Sequence, residues 1–391
     1  MIVLQMSKAR PLLRAAFGLT LLALAGCASA PRTPFTLQEQ AIAQVPGFPN
    51  VRVWGDGTIA DFARQGLGPS PQKTGSLKYL ALSGGGSGGA FGAGVLAGWT
   101  ASGKRPRFDL VSGVSTGALI APFAFLGPGY DETLTHIYTS GITSKLYQMK
   151  WLPSGLLGSG LLEAEPLRHM VEQYATSELL AAIAAEHKKG RQLIVITTNM
   201  DAQRPVVWDM GRIASSGQPG ALKLFQDVLV ASASIPAAFP PVLLDVQSGS
   251  QSFQELHSDG ATANQVFTIP DSVLLSASPG RLPGVGKADL YVIINNALIP
   301  EFEIVPNSTF SVGSRALSTM IKAQTRSSIN ATYGFAKRAG IRFHLAAIDK
   351  AIPYNPTDAF NKDYMQTLFK LGYEESLSGK IWKSAPVFDG S

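Results

Sequence analysis

Residues 108–127 read FDLVSGVSTGALIAPFAFLG, and the fold turns on how they are read. The short apolar run at 108–112 predicts a strand. The longer apolar run at 116–126 predicts a helix. Between them lies Gly113-Val114-Ser115-Thr116-Gly117, a turn of G-x-S-x-G form. A pentapeptide of small residues says little alone. Set between a strand and a helix it predicts a strained elbow that lifts the Ser115 hydroxyl out of the sheet. At a helix N-terminus the helix dipole favours developing negative charge. Gly113 and Gly117 are the elbow glycines, because side chains there would strike the strand or the helix. The plainer reading is an ordinary strand–helix turn with a buried serine.

Upstream lies LKYLALSGGGSGGAFGAG, residues 77–94. It predicts a strand at 77–82 and a helix at 90–101 with glycines between. Seven of the thirteen residues 82–94 are glycine. Each glycine inside a regular element costs about 0.5–1 kcal/mol relative to alanine, so the run needs a backbone purpose. Acyl transfer creates an oxyanion that backbone N–H groups stabilise, and losing one such donor costs about 2.7–4 kcal/mol. Gly84, Gly85 and Gly86 are the candidate donors, with Gly88 and Gly89 shaping the loop. The rival reading is a nucleotide loop, since GGGSGGAFG contains G-x-G-x-x-G. No clear strand ends in an acid about twenty residues on, and Asp109, near that spacing, begins a strand.

Downstream, residues 165–188 have one long helical periodicity. Strands are expected at 191–199 and 204–210, a helix at 221–234 and a hairpin over 242–258. Further strands fall at 288–296 and 341–348, and helices at 313–336 and 358–379. Strands alternating with helices predict an α/β fold with a largely parallel, covered sheet. Residues 28–75 are rich in Pro, Gly, Ala and Ser and read as a tether and an irregular arm.

The chain is 45% hydrophobic and 15% charged, as a folded globular protein is. Its formal charge is +6, but Lys8, Arg10 and Arg14 lie in the first 26 residues, which carry no acid; without them +3 remains. No basic run is present, so nucleic acid is not an expected partner. The three cations precede AAFGLTLLALA (15–25), an apolar run of signal-peptide length, and then LAGC (24–27). That order resembles the lipobox of bacterial lipoproteins, in which Cys27 is lipidated and becomes the mature N-terminus. Ala28 follows it, not Asp, which by the bacterial sorting rule implies the outer membrane rather than the inner. The alternative is an ordinary signal peptide with an incidental cysteine. Cys27 is the only cysteine, so no disulfide within the chain is possible. The expected organisation is a signal peptide over 1–26, a tether and arm over 27–75, and a catalytic domain over 76–391.

The chain has five histidines. His136, His169 and His187 fall on or at the end of helical segments and read as surface or packing residues. Ser258-Asp259-Gly260-Ala261 is more distinctive, because a D-G pair makes a tight turn that can aim a carboxylate into a cleft. A solvated loop turn is its commoner use.

Together these pieces resemble the patatin-like phospholipase family. Its marks are a glycine-rich oxyanion loop, a G-x-S-x-G elbow and a distant D-G-G/A segment. Here they stand in order as Gly84-Gly85-Gly86, Gly113 to Gly117 and Asp259-Gly260-Ala261. ASASIPAAFPPV (231–242) and TTNMDAQRPVVWDMG (197–211) resemble further blocks of the family. The resemblance implies a three-layer α/β/α fold and a Ser–Asp dyad, with Ser115 the nucleophile and Asp259 its activator. It implies hydrolysis of an acyl ester in a membrane lipid through an acyl-enzyme, with no cofactor and no metal. Two departures stand out. Ser83 replaces the acid that often precedes the glycines, and Gly88 replaces the basic residue that often follows them. His257, two residues before Asp259 on a strand, shares its face, so a histidine role for it stays open, as does a triad with His344. KLYQMKWLPSGLLGSGLL (145–162) reads as a lid over the cleft or as a buried loop. A carboxylesterase or thioesterase acting on small esters is the second enzymatic reading. A catalytically silent envelope lipoprotein is the non-enzymatic one.

Overall fold

The computed structural model of the chain describes residues 32–67, 76–146, 162–274, 287–350, 352 and 360–388. In chain order the elements begin α1 (Leu37–Ile42), β1 (Arg52–Trp54), α2 (Ile59–Arg64), β2 (Leu77–Leu82) and α3 (Gly89–Ala101). Next come β3 (Leu110–Val114), α4 (Thr116–Leu126), α5 (Asp131–Thr139), α6 (Glu165–Tyr174) and α7 (Ser177–His187). The chain continues through β4 (Gln192–Asn199), β5 (Arg204–Asp209), α8 (Met210–Ser215), α9 (Ala221–Ala233), β6 (Val242–Ser248) and β7 (Gln251–Asp259). It ends with α10 (Asp271–Leu274), β8 (Ala288–Ala297), α11 (Thr309–Ala339), β9 (Arg342–Ile348) and α12 (Lys362–Leu377).

One sheet runs β1-β5-β4-β3-β2-β8-β9, with the β6–β7 hairpin joined to β4. Strands β4, β3, β2, β8 and β9 are parallel, and β5, β1 and β7 run antiparallel to their neighbours. Alternation along each strand sends its apolar side chains to two faces. Leu80, Leu82, Leu193, Val195 and Ile293 join the large core with α3, α4, α9 and α12. Tyr79, Ala81, Leu290, Val292 and Ile294 pack under α11 through Ile329 and Ala336. Ile194, Ile196 and Val207 pack against Phe62 of α2. The expected three layers, a mostly parallel sheet between two helical layers, are therefore present.

Three differences from the sequence reading have local causes. The 165–188 periodicity breaks into α6 and α7, because Thr176 turns extended and its side chain accepts the Leu179 N–H. The arm is less irregular than its composition suggests. Its α1 and α2 both carry capping boxes, and β1 pairs with β5 at the sheet edge. The glycine run serves packing as well as a loop. A Cβ on Gly94 or Gly98 would collide with the α12 backbone at Phe369 and Tyr373, so the run lets α3 lie directly against α12. The segment proposed as a lid falls mostly at 147–161, outside the described residues.

Candidate active site

Strand β4 sets the geometry. Its Ile196 pairs with Val114, the last residue of β3. Its next residue, Thr197, pairs with Asp259, the last residue of β7. One strand leaves the β4 edge where the other arrives, so Ser115 and Asp259 meet although 144 positions separate them. The Ser115 hydroxyl donates to Asp259 Oδ2 at 2.6 Å.

Ser115 stands at φ 55°, ψ −125°, just before α4. This is a rare backbone state for a residue with a side chain and has to be held in place by its surroundings. Two glycines permit it. A Cβ on Gly113 would collide with the Gly117 and Ala118 backbone, and one on Gly117 with the Leu82 and Ser83 backbone. The ASAS block then ties both partners to one helix end. Ser232 Oγ accepts the Ser115 N–H at 3.1 Å and donates to Ile196 O at 2.6 Å. Ser234 O accepts the Asp259 N–H at 2.9 Å and the Ser258 hydroxyl at 2.8 Å.

Asp259 is 1% exposed. Burial pushes its carboxyl up to about 7, against the Ser115 hydroxyl and the Ala261 N–H, which favour the carboxylate. The Ala261 N–H donates to Asp259 Oδ1 at 2.7 Å. Gly260 is required because a Cβ there would collide with the Ile196 carbonyl. The result is a carboxyl group that accepts the Ser115 O–H hydrogen bond and is pushed up to about 7, properties that suit a general base.

The glycine loop departs from expectation at one position. The Gly84 N–H donates to Gln265 O at 2.9 Å, so that amide is already used. Gly84 instead passes close to the elbow, its Cβ position 3.2 Å from Ser115 Cβ. Gly85 (φ 155°) and Gly86 (φ 54°) turn the chain back on itself. Among the described residues the N–H groups of Gly85, Gly86 and Thr116 have no protein acceptor. Thr116 was missed in the sequence; its place directly after the serine was the available signal. The loop is anchored on Asn295 of β8, also missed. Asn295 N–H donates to Ser83 Oγ at 2.8 Å and its Nδ2 to Ser83 O at 2.7 Å. Ser83 Oγ donates on to Gly84 O at 2.7 Å. Ser83, in the place of an acid, thus works as a loop pin. Asn295 lies so close under Gly88 and Gly92 that a Cβ on either would strike it.

The histidines are elsewhere. His257 is fully buried, with Nδ1 2.9 Å from Thr197 Oγ1 and Nε2 3.2 Å from Glu255 Oε2. The Glu255 carboxylate only accepts, so His257 donates through Nε2–H and its Nδ1 accepts the Thr197 hydroxyl, which itself accepts the Trp208 Nε1–H. Burial lowers its pKa and keeps it neutral. His344 pairs with Asp289 at 3.1 Å and stacks on Tyr291, toward the opposite end of the parallel strands. Neither ring is hydrogen-bonded to the side chain of Ser115 or Asp259.

Residues 80–270 match the model of the patatin-like phospholipase family. Ser115, Asp259 and the glycine loop all fall inside that span. No curated protein matches the chain. Among solved structures, the crystal structure of VipD from Legionella pneumophila is similar over 78% of this chain and 67% of that one, at 12% identity and a TM-score of 0.35.

Proposed function

We propose that this chain is a lipid acyl hydrolase, phospholipase A or lysophospholipase-like, that cleaves carboxylic esters through a Ser115–Asp259 dyad. The observation that carries the reading is the 2.6 Å bond between a serine in an elbow and a buried carboxylate, inside the span that matches that family. Asp259 takes the Ser115 proton as the serine oxygen bonds to the ester carbonyl carbon. The resulting oxyanion is met by the free amides of Gly85, Gly86 and Thr116 and by the positive end of α4. As the carbonyl re-forms, the ester C–O bond breaks and Asp259 gives its proton to the leaving alcohol oxygen. The acyl-enzyme is then cleared by a water that Asp259 deprotonates, and the proton returns to Ser115. No histidine is needed, because the carboxyl is itself held near neutrality.

Product analysis tests this. Mass spectrometry of phosphatidylcholine vesicles treated with the protein should find free fatty acid and lysophospholipid in equal amounts. Turnover confined to short soluble esters would replace the reading with the small-ester alternative.

Gly86 tests the loop. Its Cβ position meets open space, yet valine does not tolerate φ 54°, so the local amides must turn away. Gly86→Val should lower kcat by at least about tenfold with an unchanged circular dichroism spectrum. Normal turnover would remove this amide from the oxyanion site. Gly85 is unsuitable for the test, since a Cβ there collides with the Asn295 carbonyl.

The LAGC sequence supports an outer-membrane lipoprotein anchored through Cys27. A singly acylated protein holds marginally, whereas several chains hold firmly. Cys27→Ser should move the protein from the membrane fraction to the soluble fraction. Retention in the membrane, with a mature N-terminus elsewhere, would defeat the anchor.

A further inference from the structure

Strand β8 runs past the elbow. Leu82 pairs with both Gly113 and Ile293, which sets Asn295 level with Ser115, so Ala297 and the 298–308 segment after it lie beyond the Ser115 end of the sheet. Helix α11 begins there and runs back for 31 residues, about 46 Å. The ten residues of β8 span only about 33 Å. Gln324 fixes the level of the helix, donating at 2.8 Å to Ala263 O in the turn after Asp259. Residues 309–323, roughly 22 Å of helix, therefore stand out past the site.

Among the described side chains of α11, Thr325 is the first buried one, while Val312, Leu317 and Met320 are 51%, 49% and 67% exposed. In the loop before it Phe302 is 94% and Ile304 84% exposed. The loop is held to the helix by Arg315 on Glu303 at 3.0 Å and by Lys322 on Glu301 at 2.7 Å. Those are the only four charged residues between 297 and 323, and they cancel. An exposed apolar, electrically neutral prominence beside a site marks a surface that can bind a partner.

The chain's other end favours one occupant. Arg32, the first described residue, clamps both oxygens of Asp201 at 2.7 and 2.8 Å. Asp201 follows β4 past its pairing with Val114, so Arg32 is held at the Ser115 end too. Cys27 lies five residues upstream, a reach of at most about 18 Å. A lipid on Cys27, as proposed above, would hold this end, with its apolar prominence, against a bilayer.

We propose that the 298–308 loop and the free half of α11 form a docking surface for a lipid bilayer, laying the Ser115 end of the sheet on the membrane. The proposal rests on the reading that the substrate is a membrane lipid. The full chain carrying Cys27→Ser, so that no anchor masks the effect, is compared with the same chain carrying Phe302→Ser, Ile304→Ser and Met320→Ser. Co-sedimentation with phosphatidylcholine vesicles should fall at least about tenfold in the triple variant, and vesicle turnover with it. Turnover of a short soluble ester should be unchanged. Binding by the parent should persist in about 0.5 M sodium chloride, because the surface carries no net charge. Equal vesicle binding by both proteins would overturn the proposal. So would a parent dimer that the triple variant converts to monomer with vesicle binding intact, which would make a second copy the occupant. Sedimentation does not depend on chemistry: a parent that binds vesicles through these residues but hydrolyses no ester overturns the acyl-hydrolase reading and leaves the docking surface standing.

Discussion

Asp259→Asn should abolish ester turnover as fully as Ser115→Ala, each by at least about 10⁴-fold, and the double variant should be little worse than either. Asparagine matches aspartate in size and can still accept the Ala261 N–H, but it cannot take a proton from Ser115. Two residues that act as one unit fail together, so their losses do not add. The pH profile carries the same signature. The free carboxyl titrates at about 7, so kcat/KM of the native protein should fall along a single limb below that pH. Stability should move the other way. An unfolded Asp259 ionises near 3.8 and the folded one near about 7. Between these values the folded state keeps a proton that the unfolded state has lost, so stability falls as pH rises through the window. Above it the full cost of the buried charge is on the order of 4 kcal/mol. Asparagine never ionises, so the inactive variant should melt several degrees above the native protein at pH 8 and close to it at pH 4. A Tm that does not rise at pH 8 would mean that Asp259 carries no such strain.

Arg52→Ala should cost about 3–5 kcal/mol of stability, the largest expected effect of any change outside the site. Arg52 lies on β1 in the arm and is 7% exposed; its partner Glu255, on the strand that carries Asp259, is wholly buried. The guanidinium pairs with both Glu255 oxygens and donates to Ala43 O at 2.9 Å. Burial alone would raise the Glu255 pKa, but His257 and Arg52 hold it at about 2. Without Arg52 a buried carboxylate is left with one neutral histidine. Urea unfolding of the full chain measures the loss. A second variant with Arg52→Met and Glu255→Met should recover most of it, because replacing both charges removes the desolvation cost as well. A loss below about 1 kcal/mol for Arg52→Ala would show that the arm is not fastened through this pair.

The sequence made the βα units readable because each is written locally. The 116–126 helix and the 77–82 strand have the bounds their apolar runs suggest. The elbow was legible for the same reason, since Gly113 and Gly117 are required by contacts within one turn and the neighbouring strand. What stayed hidden depends on distant pairing. Nothing local in TTNMD says that Thr197 will seat Asp259 one step beyond Ile196. His257 shares a face with Asp259, as its spacing implied, yet Thr197 and Glu255 take both ring nitrogens. Gly84 looked like a donor because a glycine amide is bare in sequence; the Gln265 carbonyl that accepts it is 181 positions away. The apolar prominence on α11 was not legible either, since a periodic stretch does not reveal where its sheet stops.

Fluorophosphonate labelling, with the adduct mapped by mass spectrometry, shows whether a carboxylate alone activates Ser115. A single adduct on Ser115 is expected in the native protein, in His257→Gln and in His344→Gln, and none in Asp259→Asn. An adduct on another serine, or Ser115 still labelled in Asp259→Asn but silent in a histidine variant, would contradict it.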